Sequence, residues 1–212
     1  MENNNRYSKY LAIIALLISV VGVSLGFAAY SNTVQIKARA DVRPDSSSYR
    51  GGELSTSSSD VVTGTVTPTT SGGCTAEDAT INANGIEDIH VHFTAPDQSA
   101  TYSFYGVNRS EFTSYLNEVN FGAKTCSPSN VNGNAATTSY VTEACNDIVM
   151  TIAAGPTDDW LETDNDVDGH SLASGGSETV TVTIEYLDGG QVADGDFDVN
   201  FGTSTLVYGT VD

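Results

Sequence analysis

Nineteen consecutive residues, Leu11 to Ala29, carry no charge, and a strict two-residue alternation, Val34, Ile36, Ala38, Ala40 and Val42, begins a few residues later. At 1.5 Å per residue a helix over that run is about 28 Å long, close to the roughly 30 Å of a bilayer's hydrocarbon core. The chain is therefore expected to engage a membrane and to run from it directly into a β-strand. The expected organisation is a cytoplasmic N-region over 1–10, a transmembrane anchor or signal segment over 11–29, an N-terminal strand over 30–43, a Ser-rich tether or loop over 44–60, and an extracellular β-sandwich over 61–212.

Two readings of the N-terminus stand side by side. Met1 to Lys9, the apolar run and the small residues Gly26 and Ala28 fit a signal peptide cut after Ala28. The run's length, beyond the roughly 7 to 15 residues of an ordinary signal core, fits an uncleaved anchor. Tyr10 and Tyr30 flank the run as interfacial aromatics, and Gly22 and Gly26 make a small-xxx-small pattern through which two helices can approach. Lys37, Arg39 and Arg43 outnumber Arg6 and Lys9, which by charge counting alone places the C-terminal side in the cytoplasm. That count is overruled: Lys37 and Arg39 take the polar face of the alternating strand, Asp41 and Asp45 sit among them, and the acidic remainder reads as exported to the cell surface or beyond.

Charge narrows the partners. Six of the eight Lys and Arg lie in the first 50 residues, leaving Arg109 and Lys124 against 24 acids, a net charge of −22. Such a surface repels phosphate backbones, so nucleic acid is excluded as a partner, while divalent cations are favoured. Cys126 and Cys145 bracket a Ser/Asn/Thr/Gly-rich loop, and a bridge between them closes about 20 residues, contributing about 3 kcal/mol in the chain-entropy picture. Cys74 is left over, to pair between chains, to exchange, or to stay a buried thiol.

Pro44 to Asp60 is serine-rich and nearly free of apolar residues, the composition of a tether or long surface loop. From Val61 short strand-like runs alternate with turn residues: 61–67, 86–94, 101–108, 116–121, 148–153, 179–186, 198–201 and 205–208. This spacing predicts an all-β chain folded as an antiparallel sandwich. Val180, Val182 and Ile184 face one way on the clearest of these strands, and Thr179, Thr181, Thr183 and Glu185 the other. One helical turn is expected over Ser110 to Asn117, with Phe112, Tyr115 and Leu116 buried.

The junction Gly26-Phe27-Ala28-Ala29-Tyr30-Ser31-Asn32 and the strand after it resemble the start of the TasA and camelysin group of exported biofilm-fibre proteins, and of related membrane-anchored bacterial surface proteins. Pro96 to Phe104 and Leu172 to Val182 resemble the turn-and-strand units of bacterial Ig-like and TasA-like surface domains. The resemblance implies a jelly-roll or Ig-like sandwich whose fibre-forming members donate an N-terminal strand to the next subunit. Carried to this chain, the donor residues are Val34, Ile36, Ala38, Ala40 and Val42. The Asp-rich insert, the three cysteines and the long apolar run depart from that group. Self-association by strand exchange competes with pairing inside the same chain, which has the higher effective concentration.

The sharpest chemical motif is Asp164-Asn165-Asp166-Val167-Asp168-Gly169. Acids at the first, third and fifth positions, closed by glycine at the sixth, are how an EF-hand-type loop presents oxygens to calcium. Gly175 stands at the twelfth position where a bidentate Glu belongs, so Asp158, Asp159 and Glu162 are the candidates for the remaining oxygens. Affinity is then expected in the weak range of extracellular modules, about 10⁻⁴ to 10⁻³ M. Asp194, Asp196 and Asp198 span a turn and a strand start, and are expected to shape a hairpin. His90 and His92 lie on one face of a strand, where two imidazoles can converge on a metal, but the sequence shows no third ligand. Asn108-Arg109-Ser110 matches the N-glycosylation pattern.

No G-x-S-x-G, P-loop, H-E-x-x-H or Rossmann glycine pattern occurs, so no enzyme is expected. The leading expectation is a structural extracellular surface protein, membrane-tethered or assembled into fibres through its N-terminal strand. A calcium-stabilised adhesin or ligand-binding module comes second and a secreted hydrolase third.

Overall fold

The computed structural model describes residues 4–31, 51–129, 131, 133–162, 167, 169–190 and 192–209. The chain divides after Arg43 into two units. In the first, helix α1 covers Asn4–Ser31. Leu11, Ile13, Ile14, Leu16, Leu17, Ile18, Val20 and Val21 run around its circumference, each 53–69% exposed. Side chains in α1 are described only from Ser8 to Val21, and among the described residues no helix is long and apolar enough to cross a membrane. The expected strand donor, Val34, Ile36, Ala38, Ala40 and Val42, lies outside the described residues.

The second unit is built of antiparallel strands. In chain order they are β1 (Glu53–Ser55), β2 (Gly64–Val66), β3 (Thr69–Ser71), β4 (Thr75–Ala76), β5 (Ala79–Asn82), β6 (Gly85–Glu87), β7 (Ile89–Phe93), β8 (Gln98–Val107), β9 (Ser114–Asn120), β10 (Lys124–Pro128), β11 (Ile148–Ala154), β12 (Asp158–Leu161), β13 (Ser171–Leu172), β14 (Ser177–Tyr186), β15 (Phe197–Phe201) and β16 (Ser204–Gly209). One helix, α2 (Thr138–Ala144), with a 3₁₀ turn over Cys145–Asp147, interrupts them. Three sheets result, ordered β1-β8-β14-β11-β12 with β3 also on β8, β10-β15-β7-β4, and β13-β9-β16-β6-β5-β2.

Period-two patterning builds the core. Val180, Val182 and Ile184 of β14 are fully buried while their neighbours are partly exposed, and β8 and β11 alternate the same way. Phe93, Tyr186 and Phe197 meet as a cluster, with Phe93 and Tyr186 edge to face at 5.7 Å and Tyr186 and Phe197 at 5.4 Å. Such pairs add about 0.5–1.5 kcal/mol each to their burial. Cys126 and Cys145 are bridged, tying β10 to the end of α2. Cys74 is a buried free thiol that donates to Ser99 O at 3.1 Å.

Two of the sheets are joined by strands that bend together. Ile89 faces Phe201 and Ile86 faces Ser204, so β6 and β7 continue one register against β15 and β16 across Asp88. Lys124 faces Phe201 and Asn120 faces Thr205, so β9 and β10 do the same across Gly122. At this corner Gly202 N donates to Ala123 O at 3.0 Å and Gly122 N to Ser204 Oγ at 2.9 Å. A β-carbon on Gly122 would stand 1.9 Å from Gly202 O, so only glycine fits. Asp88 takes φ +61°, unusual for a residue with a side chain, and its carboxylate accepts from Thr80 Oγ1 at 3.0 Å.

Three expectations are corrected. Residues 53–55 of the expected tether form β1, with Leu54 fully buried, because one apolar residue at a sheet edge suffices to anchor a serine-rich segment. The expected helical turn over Ser110 to Asn117 is a turn followed by β9. Asn108 Oδ1 accepts from Ser110 N at 2.9 Å and Asn108 Nδ2 donates to Phe112 O at 2.8 Å, an Asx arrangement that competes with a helix. Phe112 is exposed and Leu116 is buried from the strand. The same bonds, and a third from Nδ2 to Leu172 O, leave Asn108 fully buried and closed to glycosylation.

Replacing Gly122 with Ala is expected to lower the unfolding free energy by about 1–3 kcal/mol or to prevent folding, since the obstruction is backbone and cannot swing aside. Urea unfolding of the variant against the parent measures it. Gly133→Ala, at a glycine with nothing within 4 Å of an added β-carbon but with φ +73°, separates contact from conformational cost.

Candidate functional site

The four-stranded sheet turns Ile89, Val91 and Phe93 of β7 and Phe197, Val199 and Phe201 of β15 into the core. Strand alternation therefore puts His90, His92, Asp198 and Asn200 on the opposite face. Asp198 stands directly across from His92, Asn200 across from His90, and Thr75 of β4 across from His92 on the other side. Asp198 Oδ1 accepts from His92 Nδ1 at 2.9 Å and lies 3.6 Å from His90 Nε2. His90 Nδ1 lies 3.0 Å from Glu77 Oε1, and His92 Nε2 is 3.6 Å from Asp196 Oδ2. Glu77 is held in place through its backbone, its N–H donating to His90 O at 3.0 Å and its carbonyl accepting from Tyr102 OH at 3.1 Å.

Glu77, His90 and Asn200 of this cluster, with Glu87, Asp88 and Thr203 among others, line a cleft of about 370 Å³ at the sheet corner. Three carboxylates and one imidazole give the cleft a lining that favours cations over anions. The one free thiol is not an activated nucleophile: burial pushes the Cys74 pKa up, which keeps it a thiol.

The expected calcium ligands fall differently. Asp164, Asp166 and Asp168 lie outside the described residues. Asp158 is on β12 with its carboxylate 2.7 Å from His170 Nδ1, while Asp159 is exposed. Glu162 pairs with Lys124 Nζ at 2.8 Å. Two of the flanking carboxylates proposed for the loop thus already have side-chain partners, Asp158 in His170 and Glu162 in Lys124. Among the described residues no three His, Cys, Asp or Glu side chains are grouped as a ligand set.

His170 is the residue whose role the sequence hid. It is 8% exposed, packs edge-on against Trp160 at 5.3 Å, and presents Nε2 to Glu178 Oε1 at 3.0 Å. Tyr208 OH donates to the same Glu178 oxygen at 3.0 Å. Both ring nitrogens thus face carboxylate oxygens, which only accept, an arrangement that favours the protonated imidazolium. The bond to Glu178 raises the His170 pKa most, and that to Asp158 raises it further, against the opposing effect of burial. Asp194 does not shape a hairpin: its Oδ1 accepts from Thr137 N at 2.7 Å, while Asp196 O accepts from Ser129 N and Ala136 N. The chain matches no protein-family model, no curated protein and no solved structure.

Because His170 has a higher pKa folded than the roughly 6.5 of an unfolded imidazole, its contribution is complete below that value and is lost as pH rises through the folded pKa. Stability is therefore expected to decline over this window as His170, facing Asp158, Glu178 and the Tyr208 hydroxyl, deprotonates. Urea midpoints measured across the window should fall less steeply in His170→Gln than in the parent; equal slopes refute the assignment.

Proposed function

We propose that the protein is a structural surface protein, a jelly-roll or Ig-like β-sandwich held at a membrane by its N-terminal hydrophobic segment or assembled into fibres through the strand that follows it. The observation that carries this reading is the exposed apolar circumference of α1. A helix apolar on all sides is stable only when protein or lipid surrounds it. At about 1.5–3 kcal/mol for each large aliphatic side chain, covering the eight exposed ones is worth on the order of 10 kcal/mol. Lipid along Leu11 to Ala29 supplies that cover. The Cys126–Cys145 bridge supports an oxidising compartment, and the resemblance to the TasA and camelysin group supports the exported location. The reading assigns no reaction and no nucleic-acid partner.

The test is expression of the full chain in a bacterial host, followed by alkaline extraction of membranes, external proteolysis of whole cells, electron microscopy and intact mass. An anchor is expected to stay in the membrane fraction with Met1 retained and the β unit open to external protease. A fibre subunit is expected to start near Ala29 and to form filaments. Recovery as a cytosolic monomer with Met1 in place overturns both forms.

A calcium-stabilised adhesin or ligand-binding module is the second reading, favoured by one observation. Gly169, sixth in the Asp-rich motif, has φ +79°, the left-handed geometry that the glycine of a calcium loop adopts. Binding with Kd of about 10⁻⁴ to 10⁻³ M at about 10 mM calcium stabilises the fold by roughly 1.4–2.7 kcal/mol. Thermal unfolding in calcium against EDTA reads this directly, and an unchanged midpoint removes the reading.

A further inference from the structure

We propose that the β unit is a salt-conditional fold: the cations of the surrounding medium are its counter-charge, and its stability rises with ionic strength.

The excess charge is not neutralised from within. From residue 51 onward 24 acids stand against Arg109 and Lys124. Lys124 Nζ is 2.8 Å from Glu162 Oε1, which offsets one carboxylate. Arg109 is exposed, and its Nη2 donates to the Ser58 carbonyl, a neutral acceptor, at 3.4 Å. The histidines mark where the remaining acids crowd, because each stands between two of them. His90 is 3.0 Å from Glu77 and 3.6 Å from Asp198, His92 is 2.9 Å from Asp198 and 3.6 Å from Asp196, and His170 is 2.7 Å from Asp158 and 3.0 Å from Glu178. Even a protonated ring carries one positive charge against two negative ones.

Folding creates much of this crowding. Glu77 is far from Asp198 in sequence, and Asp158 from Glu178, so the unfolded chain separates what strand register and packing bring together. Self-repulsion therefore weighs more on the compact state, and screening it favours the fold.

Two lengths decide where the effect falls. A folded unit of this size exposes about 8,000 Å², so its 24 acids lie on average roughly 18 Å apart. The screening length is about 30 Å at 0.01 M salt, about 8 Å at 0.15 M and about 3 Å at 1 M. Average neighbours thus repel at the lowest of these concentrations and are screened at the middle one. Acids that share a histidine lie closer than the middle screening length and still repel there. The larger part of the gain is expected in the first interval and a smaller part in the second.

The test uses the full chain in non-ionic detergent micelles at fixed pH with EDTA, and reads the urea midpoint by far-UV circular dichroism at about 0.01, 0.15 and 1 M salt. The midpoint is expected to rise across the series, mostly in the first interval, and equally in NaCl, KCl and choline chloride. Glu111, Glu118 and Glu143 are exposed, which makes them suitable for charge reversal. The combined variant Glu111→Lys, Glu118→Lys, Glu143→Lys is expected to have a higher midpoint than the parent at the lowest salt and a flatter rise. The same three positions changed to Asp, which keeps the charge, are expected to keep the parent's slope. A parent midpoint that is level over the first interval, a rise confined to one cation, or a Lys variant with the parent's slope overturns the proposal. Should the Lys variant not fold, the parent series decides.

Discussion

At Gly122 and Gly202 two backbones approach so closely that a β-carbon on the first would overlap the carbonyl of the second. This contact lets β9–β10 and β15–β16 bend at the same point without losing register, and Asp88, in left-handed geometry, bends β6–β7 alongside them. A continuous set of strands is thereby divided between two sheets. Both faces of the four-stranded part depend on it. Phe93, Phe197 and Phe201 are directed into the core, and His90 and Asn200 are brought to the wall of a cleft that Asp88, Gly202 and Thr203 of the bend also line.

The second constraint is electrostatic. From residue 51 onward the chain has 24 acids and only two residues, Arg109 and Lys124, that are always positive. Lys124 is committed to Glu162 and to the Ile148 carbonyl. Each of the three histidines faces a carboxylate, exposed or partly buried: His90 with Glu77, His92 with Asp198, His170 with Asp158 and Glu178. Of the three, His170 is the one whose pKa its carboxylate partners raise, and it stands just before β13, whereas His90 and His92 are both on β7.

What was legible in the sequence followed from periodicity. The alternation of Thr179 to Tyr186, the apolar runs at 148–153 and 101–108, and the Cys126–Cys145 pair each depend on neighbours in sequence, and each is found. The very short strands β1, β3, β4 and β13 carry too few residues to show a period, and α2 sits in a polar stretch whose only buried side chains are Val141 and Ala144. The histidine cluster was half legible. Spacing put His90 and His92 on one face, but the third member, Asp198, is 106 residues from His92 and is delivered by register, which a single sequence does not fix. Local spacing alone groups Asp198 with Asp194 and Asp196 at a turn and strand start.

The packing of β1 bears on the proposed strand exchange. Leu54 is buried at the sheet edge, and ten residues separate Val42 from Glu53, a reach of at most about 33–36 Å for a fully extended chain. A nine-residue strand needs a long partner, and the long strands are largely occupied. β14 is paired along its length by β8 and for seven residues by β11, while the outer edge of β8 is taken by β3 at Thr101–Ser99 and by β1 at Val107–Tyr105. Among the described residues, no strand pairs with Tyr102, Ser103 and Phe104 on that edge, a stretch too short for a stable strand pair. Pairing of residues 34–42 along β8, from the same chain or from a neighbour, therefore requires β1 or β3 to leave. Each is three residues long, which makes such displacement cheap relative to the nine-residue ladder that replaces it. Because β1 is the near end of the same link, its release lengthens the reach of the donor as it opens the acceptor, so exchange on this edge would be cooperative.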